Sequence, residues 1–247
     1  MSTVIIVQAR MTSSRLPGKV LMTVLNKSLL EYQIERLRRV KLADEIVIAT
    51  TDNGSEKPIV DLCERLTVTC FRGSEDDVLA RYHGAAQASQ ADVVVRVTSD
   101  CPIIDPLVID KVIQFYLDHC GHYDYVSNAL IRSYPRGMDT EVFSFQALDE
   151  AFREATRQPD REHVTPFICT QPQRYRLADV TYHEDYSNHR WTVDTPADFE
   201  LIRRIIGTLY PVNPKFSLED SLALLEKFPD WARINANVEQ KKLDYSE

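Results

Sequence analysis

Short apolar runs rich in valine and isoleucine alternate with amphipathic segments in the first half of the chain. The runs lack the apolar–polar alternation of a half-exposed strand, so they predict strands that are covered on both faces. The runs are Val4–Val7, Ile46–Ala49, Val68–Phe71 and Val93–Val97, and the amphipathic segments are Leu29–Val40, Lys57–Leu66 and Asp77–Ala88. Leu30, Ile34 and Leu37, for example, recur at helical spacing and therefore share one helix face. This alternation predicts a right-handed α/β sandwich over residues 1–120.

The rhythm changes after residue 120, where shorter elements follow one another in no regular order. The predicted strands are Tyr123–Asn128, Thr140–Phe145 and Arg190–Val193, with extended chain at Arg174–Tyr182, and the predicted helices are Phe145–Thr156, Arg161–Thr170, Pro196–Leu209 and Leu218–Phe228. Thr195 and Pro196 suit the N-cap and the first position of the third of these helices. No repeat, low-complexity segment or flexible linker interrupts the chain. We therefore expect one domain over residues 1–247, ending in a helical tail over residues 211–247.

The charge and cysteine content of the chain limit the partners that it can have. The 247 residues carry 29 basic and 37 acidic side chains, a net charge of −8. We therefore expect no nucleic acid partner, because duplex binding rests on a broad basic face that neutralises phosphates. The five cysteines show no metal-ligand spacing, and the N-terminal apolar run is too short for a signal sequence or a membrane span. These features predict a cytoplasmic protein with reduced cysteines.

A loop rich in cations and hydroxyl groups follows the first predicted strand, with the sequence QARMTSSRLPGK from Gln8 to Lys19. Open α/β sheets bind ligands at the carboxyl ends of their strands, where the strand order reverses. Arg10 and Lys19 are suited to hold a polyphosphate there, with backbone amides completing an anion site. The loop is not a Walker A motif, since Ser13 replaces its first glycine and Val20 its metal-binding hydroxyl residue. A solvated basic loop is the alternative interpretation.

Two aspartates also follow predicted strands directly. Asp100 comes after VRVTS, and Asp194 comes after RWTV. Mg²⁺ is commonly held by one or two carboxylates together with substrate phosphates, so this pair suits a metal site beside the basic loop. Each aspartate taken alone can equally cap a turn. Asp198 falls in the first turn of the helix that begins at Pro196, where a carboxylate stabilises the helix dipole, and we therefore assign it a structural role.

Taken together, these motifs resemble the cytidylyltransferases that activate acidic sugars, the CMP-KDO and CMP-sialic acid synthetases, and most closely their spore coat polysaccharide (SpsF) branch. The stretches that carry the resemblance are VQARMTSSRLPGKVL, FRGSEDDVLARY, VRVTSDCPIIDP, YPRGMDTEVF, REHVTPFI and WTVDTPADF. The resemblance implies a Rossmann-like three-layer α/β sandwich, the nucleotide-diphospho-sugar transferase (GT-A-like) fold, often as a homodimer. It also implies a nucleotide-binding half at residues 1–120, and a half at 121–210 that binds the sugar and completes the metal site.

The resemblance further assigns the residues of the nucleotide site. Arg10 and Lys19 correspond to the family's triphosphate ligands, and Asp100 and Asp194 to its Mg²⁺ ligands, so these four are the predicted catalytic residues. The family reads the base in the place of residues 72–77. The predicted nucleotide-binding residues are Gln8, Ala9, Arg10, Ser13, Lys19, Arg72, Gly73, Ser74 and Asp77.

Two further features of the sequence bear on the nucleotide and on the acceptor. Ser74 and Asp77 also suit a helix N-cap and its N3 carboxylate. The predicted substrate-binding residues are Arg136, Asp139, Glu141 and His163. The resemblance places a histidine in REHVTPFI near the sugar, although charged neighbours can also satisfy His163. The DTE pair is expected to share one strand face and bind sugar hydroxyls or a cation, with a solvated edge strand as the alternative.

The resemblance implies transfer of CMP from CTP to a sugar or sugar-acid acceptor, with release of pyrophosphate, in surface polysaccharide or glycoconjugate synthesis. The expected partners are CTP, Mg²⁺ and the acceptor. Two alternatives are a glycosyltransferase that uses a nucleotide sugar through Asp139 and Glu141, and a non-catalytic nucleotide-binding subunit. The cation-rich loop disfavours the first, since a diphosphate donor needs fewer cations. The presence of both predicted metal ligands disfavours the second.

Overall fold

The valine-rich runs form the centre of a seven-stranded sheet in a computed structural model that describes residues 1–240. The strands are β1 (Thr3–Gln8), β2 (Thr23–Val24), β3 (Lys27–Ser28), β4 (Glu45–Thr51), β5 (Thr69–Gly73), β6 (Val93–Thr98), β7 (Tyr125–Ser127), β8 (Glu141–Ser144) and β9 (Leu177–Asp179). The sheet order is β5-β4-β1-β6-β8-β7-β9, and β2 pairs with β3 in a separate hairpin. Strands β5, β4, β1 and β6 are parallel, whereas β8 is antiparallel to both neighbours. The order of the parallel strands therefore reverses between β1 and β6.

Helices cover both faces of this sheet. They are α1 (Leu29–Leu37), α2 (Lys57–Leu66), α3 (Val78–Ala88), α4 (Pro106–Asp118), α5 (Phe145–Glu154), α6 (Gln158–His163), α7 (Pro166–Cys169), α8 (Pro196–Leu209) and α9 (Leu218–Lys227). Strand β1 shows how the layers arise, because Ile5 and Val7 enter one core with α1, α4 and α8. Val4 and Ile6 point to the other face and enter a second core with α3 and α5. The three layers expected from the sequence are present.

Helix α8 begins where its capping residues predict. The Thr195 side chain accepts a hydrogen bond from the Asp198 amide, and the Asp198 carboxylate accepts one from the Thr195 amide. Pro196 occupies the first turn, where its missing N–H costs nothing. The structural role predicted for Asp198 is therefore confirmed.

Two expectations about secondary structure are corrected, and one helix was not foreseen. The single helix predicted over Arg161–Thr170 is wrong, because Val164 adopts a φ of 73° and separates α6 from α7. The strand predicted over Arg190–Val193 is also wrong: it forms only an isolated bridge to Arg136, and its amides bond to loops. Helix α4 was not predicted, although its apolar residues recur at helical spacing after the Asp105 N-cap.

The second half of the described chain continues the same sheet with shorter elements. Helix α9 lies in the predicted C-terminal tail, and residues 241–247 of that tail lie outside the described part. Of the helices within residues 1–240, none has the length and apolar character needed to cross a membrane.

Candidate active site

A cavity of about 240 Å³ opens at the carboxyl ends of β1 and β6, where the strand order reverses. Arg10, Lys19, Asp100 and Asp194, the four residues predicted to be catalytic, all line this cavity. They come from three separate motifs and are up to 184 positions apart (194 − 10) in the chain. The sheet therefore brings the predicted phosphate-binding cations and metal-binding carboxylates into one site, in the crevice where open α/β sheets bind ligands.

A backbone hydrogen bond closes the basic loop. The Gly18 amide donates to the Met11 carbonyl at 2.8 Å, and Gly18 adopts a φ of 69°, which favours glycine over residues with a Cβ atom. Lys19 then begins a short 3-10 turn that is anchored by the fully buried Val20. Gln8, Ala9 and Ser13, the other loop residues predicted to bind the nucleotide, also line the cavity.

Asp194 is surrounded by cations. Its carboxylate lies 2.7 Å from Lys19 Nζ, 2.6 Å from the guanidinium of Arg190 and 3.0 Å from that of Arg15. Burial alone would raise the pKa of the Asp194 carboxyl, but Lys19, Arg15 and Arg190 outweigh it and hold that pKa below its ordinary value. Asp194 is therefore a permanent anion at neutral pH.

Asp100 also lies near the Lys19 ammonium group. Its Oδ2 lies 3.9 Å from Lys19 Nζ, and its Oδ1 accepts a hydrogen bond from the Thr98 hydroxyl. The Val193 amide donates to the Asp100 carbonyl at 2.8 Å, which joins the segment after β6 directly to the segment before α8. This backbone bond explains why two aspartates that are distant in the sequence lie at one cavity wall.

The donor set fits a Mg²⁺ ion that is shared with a phosphate. Both carboxylates lie within 3.9 Å of the Lys19 ammonium, which shows that they converge on a positive charge. Residues 1–240 contain no group of three or more His, Cys, Asp or Glu side chains that would hold a metal alone. Mg²⁺ typically takes one or two carboxylates and completes its shell with water and substrate oxygens. Asp100 and Asp194 supply that number.

A buried network behind Asp194 was missed by the sequence analysis. Arg190 Nε donates to Asp198 Oδ1 at 3.0 Å, and the Asn235 side-chain amide donates to the same oxygen and to the Arg190 carbonyl, both at 2.8 Å. Arg190, Asp198 and Asn235 are each at least 93% buried. Gln240 accepts a hydrogen bond from Arg190 and lines the cavity. The segment after α9 therefore helps to hold the Asp194 carboxylate, a predicted metal ligand.

Within residues 1–240, the residues predicted to read the base do not line the cavity. Arg72 is largely exposed and pairs with Glu56. Asp77 is the N-cap of α3 and accepts from the Ala80 amide, and Ser74 Oγ accepts from the Asp77 amide. The interpretation of Ser74 as the helix N-cap is therefore wrong, because the helix begins three residues later than that pattern requires. Gly73 packs against Arg81, which does line the cavity.

The predicted acceptor residues lie at different places. His163 lines the cavity beside Glu162. Asp139 is held by both terminal nitrogens of Arg132, at 2.6 and 2.8 Å. Arg136 is half-buried, and burial together with nearby Arg132 lowers its pKa. Asp139 and Arg136 are not part of the cavity wall within the described chain.

Glu141 has a structural setting inside the sheet. Strand β8 begins at Glu141 and lies between β6 and β7, so the alternative of a solvated edge strand is wrong. Its carboxylate pairs with Arg96 and accepts hydrogen bonds from Tyr125 Oη at 2.6 Å and Thr165 Oγ1 at 2.8 Å. Arg96 also donates to Gln8 Oε1 at 3.2 Å, so Glu141 is connected to the cavity through Arg96.

Comparison with known proteins agrees with the motifs and the fold. A family model described as Cytidylyltransferase matches residues 4–247. The chain is 37% identical over 238 residues to the uncharacterized protein MJ1063 of Methanocaldococcus jannaschii, covering 96% of this chain and 95% of that protein. It is 34% identical over 234 residues to the spore coat polysaccharide biosynthesis protein SpsF of Bacillus subtilis, covering 92% and 95% of the two chains.

The fold is also that of a solved relative. The structure of a cytidylyltransferase from Leptospira borgpetersenii superposes with a TM-score of 0.90 at 29% identity, covering 98% of this chain and 100% of that one. The predicted fold class is thereby confirmed. From the family match, the two relatives and this structure, we conclude that the chain belongs to the cytidylyltransferase family.

Proposed function

We propose that this protein transfers CMP from CTP to a hydroxyl group of a sugar or sugar-acid acceptor and releases pyrophosphate. The observation that carries the proposal is the convergence of Lys19, Asp100 and Asp194 beside the basic loop, at the reversal of strand order. A role in making precursors of a surface polysaccharide or glycoconjugate is supported by the similarity to SpsF, whose name assigns it to polysaccharide biosynthesis.

In the proposed reaction the acceptor hydroxyl attacks the α-phosphorus of CTP in line with the bond to the β-phosphate. A new oxygen–phosphorus bond forms, the α–β bridge breaks, and its electron pair leaves with pyrophosphate. Lys19 and Arg15, which contact Asp194, are placed to contact the leaving phosphates and offset their charge. The hydroxyl proton requires an acceptor, and the carboxylates in the cavity wall are Asp100, Asp194 and Glu162.

We propose that Asp100 and Asp194 hold Mg²⁺, which when bound supplies positive charge against the α-phosphate. Asp194 is kept ionised by its cationic neighbours, and a ligand to a divalent cation must be ionised. The network of Arg190, Asp198 and Asn235 keeps that carboxylate at the cavity wall. The protein's contribution is therefore to position the reactants and to arrange charge before they arrive.

The proposal includes a homodimer in the cytoplasm. The dimer is supported by the family resemblance, and the compartment by the five cysteines, all of which are free thiols in residues 1–240. Sedimentation analysis of the purified chain checks the first point, with a single species of monomer mass as the contrary result.

Nucleotide-dependent thermal stabilisation and pyrophosphate release test the proposed reaction. CTP with Mg²⁺, at about 100 times its dissociation constant, adds roughly 2.7 kcal/mol to the free energy of unfolding. We expect CTP to stabilise the protein more than UTP, GTP or ATP. Pyrophosphate release that depends on an added sugar or sugar acid then identifies the acceptor. A protein that transfers sugar from a nucleotide sugar, or that binds CTP without turnover on any acceptor, contradicts the proposal.

A further inference from the structure

Arg81 is a buried cation with no anionic partner among residues 1–240. Its relative exposure is 2%, and no carboxylate in that range lies within 4.0 Å of its guanidinium. Nη1 donates to the Ser74 carbonyl at 2.5 Å, and the buried Nε has no hydrogen-bond acceptor. Burial accordingly lowers the pKa of Arg81. An unpaired buried donor is costly, and because Arg81 lines the cavity, a molecule bound there can supply the missing acceptor.

The position of Arg81 is built into the fold. The residue lies one turn into α3 and lines the cavity together with Val78, the first residue of that helix. Its side chain crosses Gly73 so closely that a Cβ atom on Gly73 would lie 3.2 Å from Arg81 Cγ. Glycine at the end of β5 therefore makes room for the guanidinium stem, and the hydrogen bond to Ser74 holds one end of the fork.

Arg81 and the acidic pair reach the cavity from different elements of the fold. Helix α3 packs against β5, β4 and β1, whereas Asp100 follows β6 on the other side of β1. The titratable side chains that act on Arg81 include Tyr82, Arg10, Glu75 and Asp52, and Lys19 and Asp194 are not among them. Lys19 and Asp194 instead contact each other. A nucleotide whose phosphates lie at Lys19 and Asp194 therefore directs its base toward Arg81.

We propose that Arg81 reads the edge of the cytosine base through its Nε–H and Nη2–H groups, an assignment that rests on the proposed use of CTP. Cytosine presents two adjacent acceptors, N3 and O2, which match the two parallel donors of a guanidinium edge. Uracil presents an N3–H donor in place of the first acceptor, and two donors then face each other. Arg81 is thus a specificity-determining residue that favours cytosine over uracil.

Binding of CMP, UMP, CTP and UTP to the intact protein, measured by calorimetry, tests this assignment. The variants are Arg81→Lys, which keeps the charge but not the fork, and Arg81→Met, which keeps most of the stem. Lys19→Met removes a cation at the phosphate end. Arg153→Met serves as the surface control, because Arg153 is 70% exposed on α5 and pairs only with Asp149 in the described chain.

We expect both Arg81 variants to reduce the preference for cytosine over uracil by about 10- to 100-fold, the range for one bidentate base contact. Lys19→Met weakens CTP and UTP alike and leaves their ratio unchanged, and Arg153→Met changes neither. An Arg81 variant that weakens both bases equally, or that binds like the wild type, overturns the assignment. If Arg81→Met does not fold, by circular dichroism, Arg81→Lys alone decides. Wild-type protein that binds no cytidine nucleotide contradicts the proposed function instead.

Discussion

In the half of the chain that contains β1 to β6, backbone hydrogen bonds fix the positions of the cavity residues. In the chain beyond residue 120, contacts with buried side chains fix the position of Asp194. Asp100 follows the parallel strand β6, and Lys19 follows the loop that the Gly18–Met11 hydrogen bond closes. Their positions therefore depend on backbone hydrogen bonds of the sheet and of that loop. Asp194 follows a segment that forms no strand, and Arg190 anchors it from behind. One part of the site is therefore positioned by backbone hydrogen bonds and the other by a network of buried side chains. The two parts should respond differently to substitutions.

This difference predicts which amino-acid substitutions each half tolerates. A parallel ladder spreads its cost over many backbone groups, so one surface substitution near Lys19 disturbs little. The network behind Asp194 concentrates its hydrogen bonds in three buried side chains, Arg190, Asp198 and Asn235. Removing one partner there leaves the others buried and unsatisfied. The second half should therefore be more sensitive to single changes that lie outside the cavity wall.

The largest effect is expected from Asp194→Asn. The substitution keeps the shape of the side chain but removes the anion that Lys19 and the proposed Mg²⁺ share. We expect turnover in the pyrophosphate-release assay to fall by about 10²- to 10³-fold, the scale for one preorganised electrostatic group. Unchanged far-ultraviolet circular dichroism shows that the fold survives.

A matched control comes from the same half of the chain. Asp124→Asn removes an aspartate that pairs with Arg176 outside the cavity, and turnover should stay near the wild-type value. Full Mg²⁺-dependent activity in Asp194→Asn would remove Asp194 from the proposed metal site.

Asn235→Ala tests the network without touching the cavity wall. The substitution removes two buried hydrogen bonds of 2.8 Å, so the Asp198 carboxylate and the Arg190 carbonyl each lose one donor. We expect a loss of about 1–3 kcal/mol in the free energy of unfolding, measured by urea denaturation. Asn213→Ala is the control, since the Asn213 side chain bonds only to the exposed Lys215 amide among the described contacts. Equal stability of the two variants would show that the network does not anchor the second half.

The same contrast explains which features the sequence predicts. The four parallel strands are recognisable because burial on both faces produces continuous Val and Ile runs, and Asp100 is found because it follows one of them. The α8 cap is equally local, since Thr195 and Asp198 stand three residues apart. These signals depend only on neighbours in the chain.

The remaining features depend on contacts that no local pattern contains. Arg190 and Asn235 meet across 45 residues, and neither position has a distinctive neighbour. The alternative that placed Glu141 on a solvated edge strand is wrong because strand order cannot be read from a single strand, and β8 is interior. Arg81 is a charged residue on the buried side of a predicted helix, next to Tyr82. A cation among buried positions is the signal by which it can be found.

The smallest effect concerns pH and separates the charge of Asp194 from its packing. Because Lys19, Arg15 and Arg190 outweigh burial and lower its pKa, the ionised Asp194 carboxyl stabilises the folded state above the ordinary pKa of about 3.9. That contribution is lost as the pH falls through the lower folded value. The Tm difference between wild type and Asp194→Asn, a few degrees at pH 6, should therefore shrink toward pH 2.5. Asn235→Ala changes no charge, so its Tm difference from wild type should stay nearly constant over the same range. A Tm difference for Asp194→Asn that stays constant over this range would show that the stabilisation does not depend on ionisation of the Asp194 carboxyl.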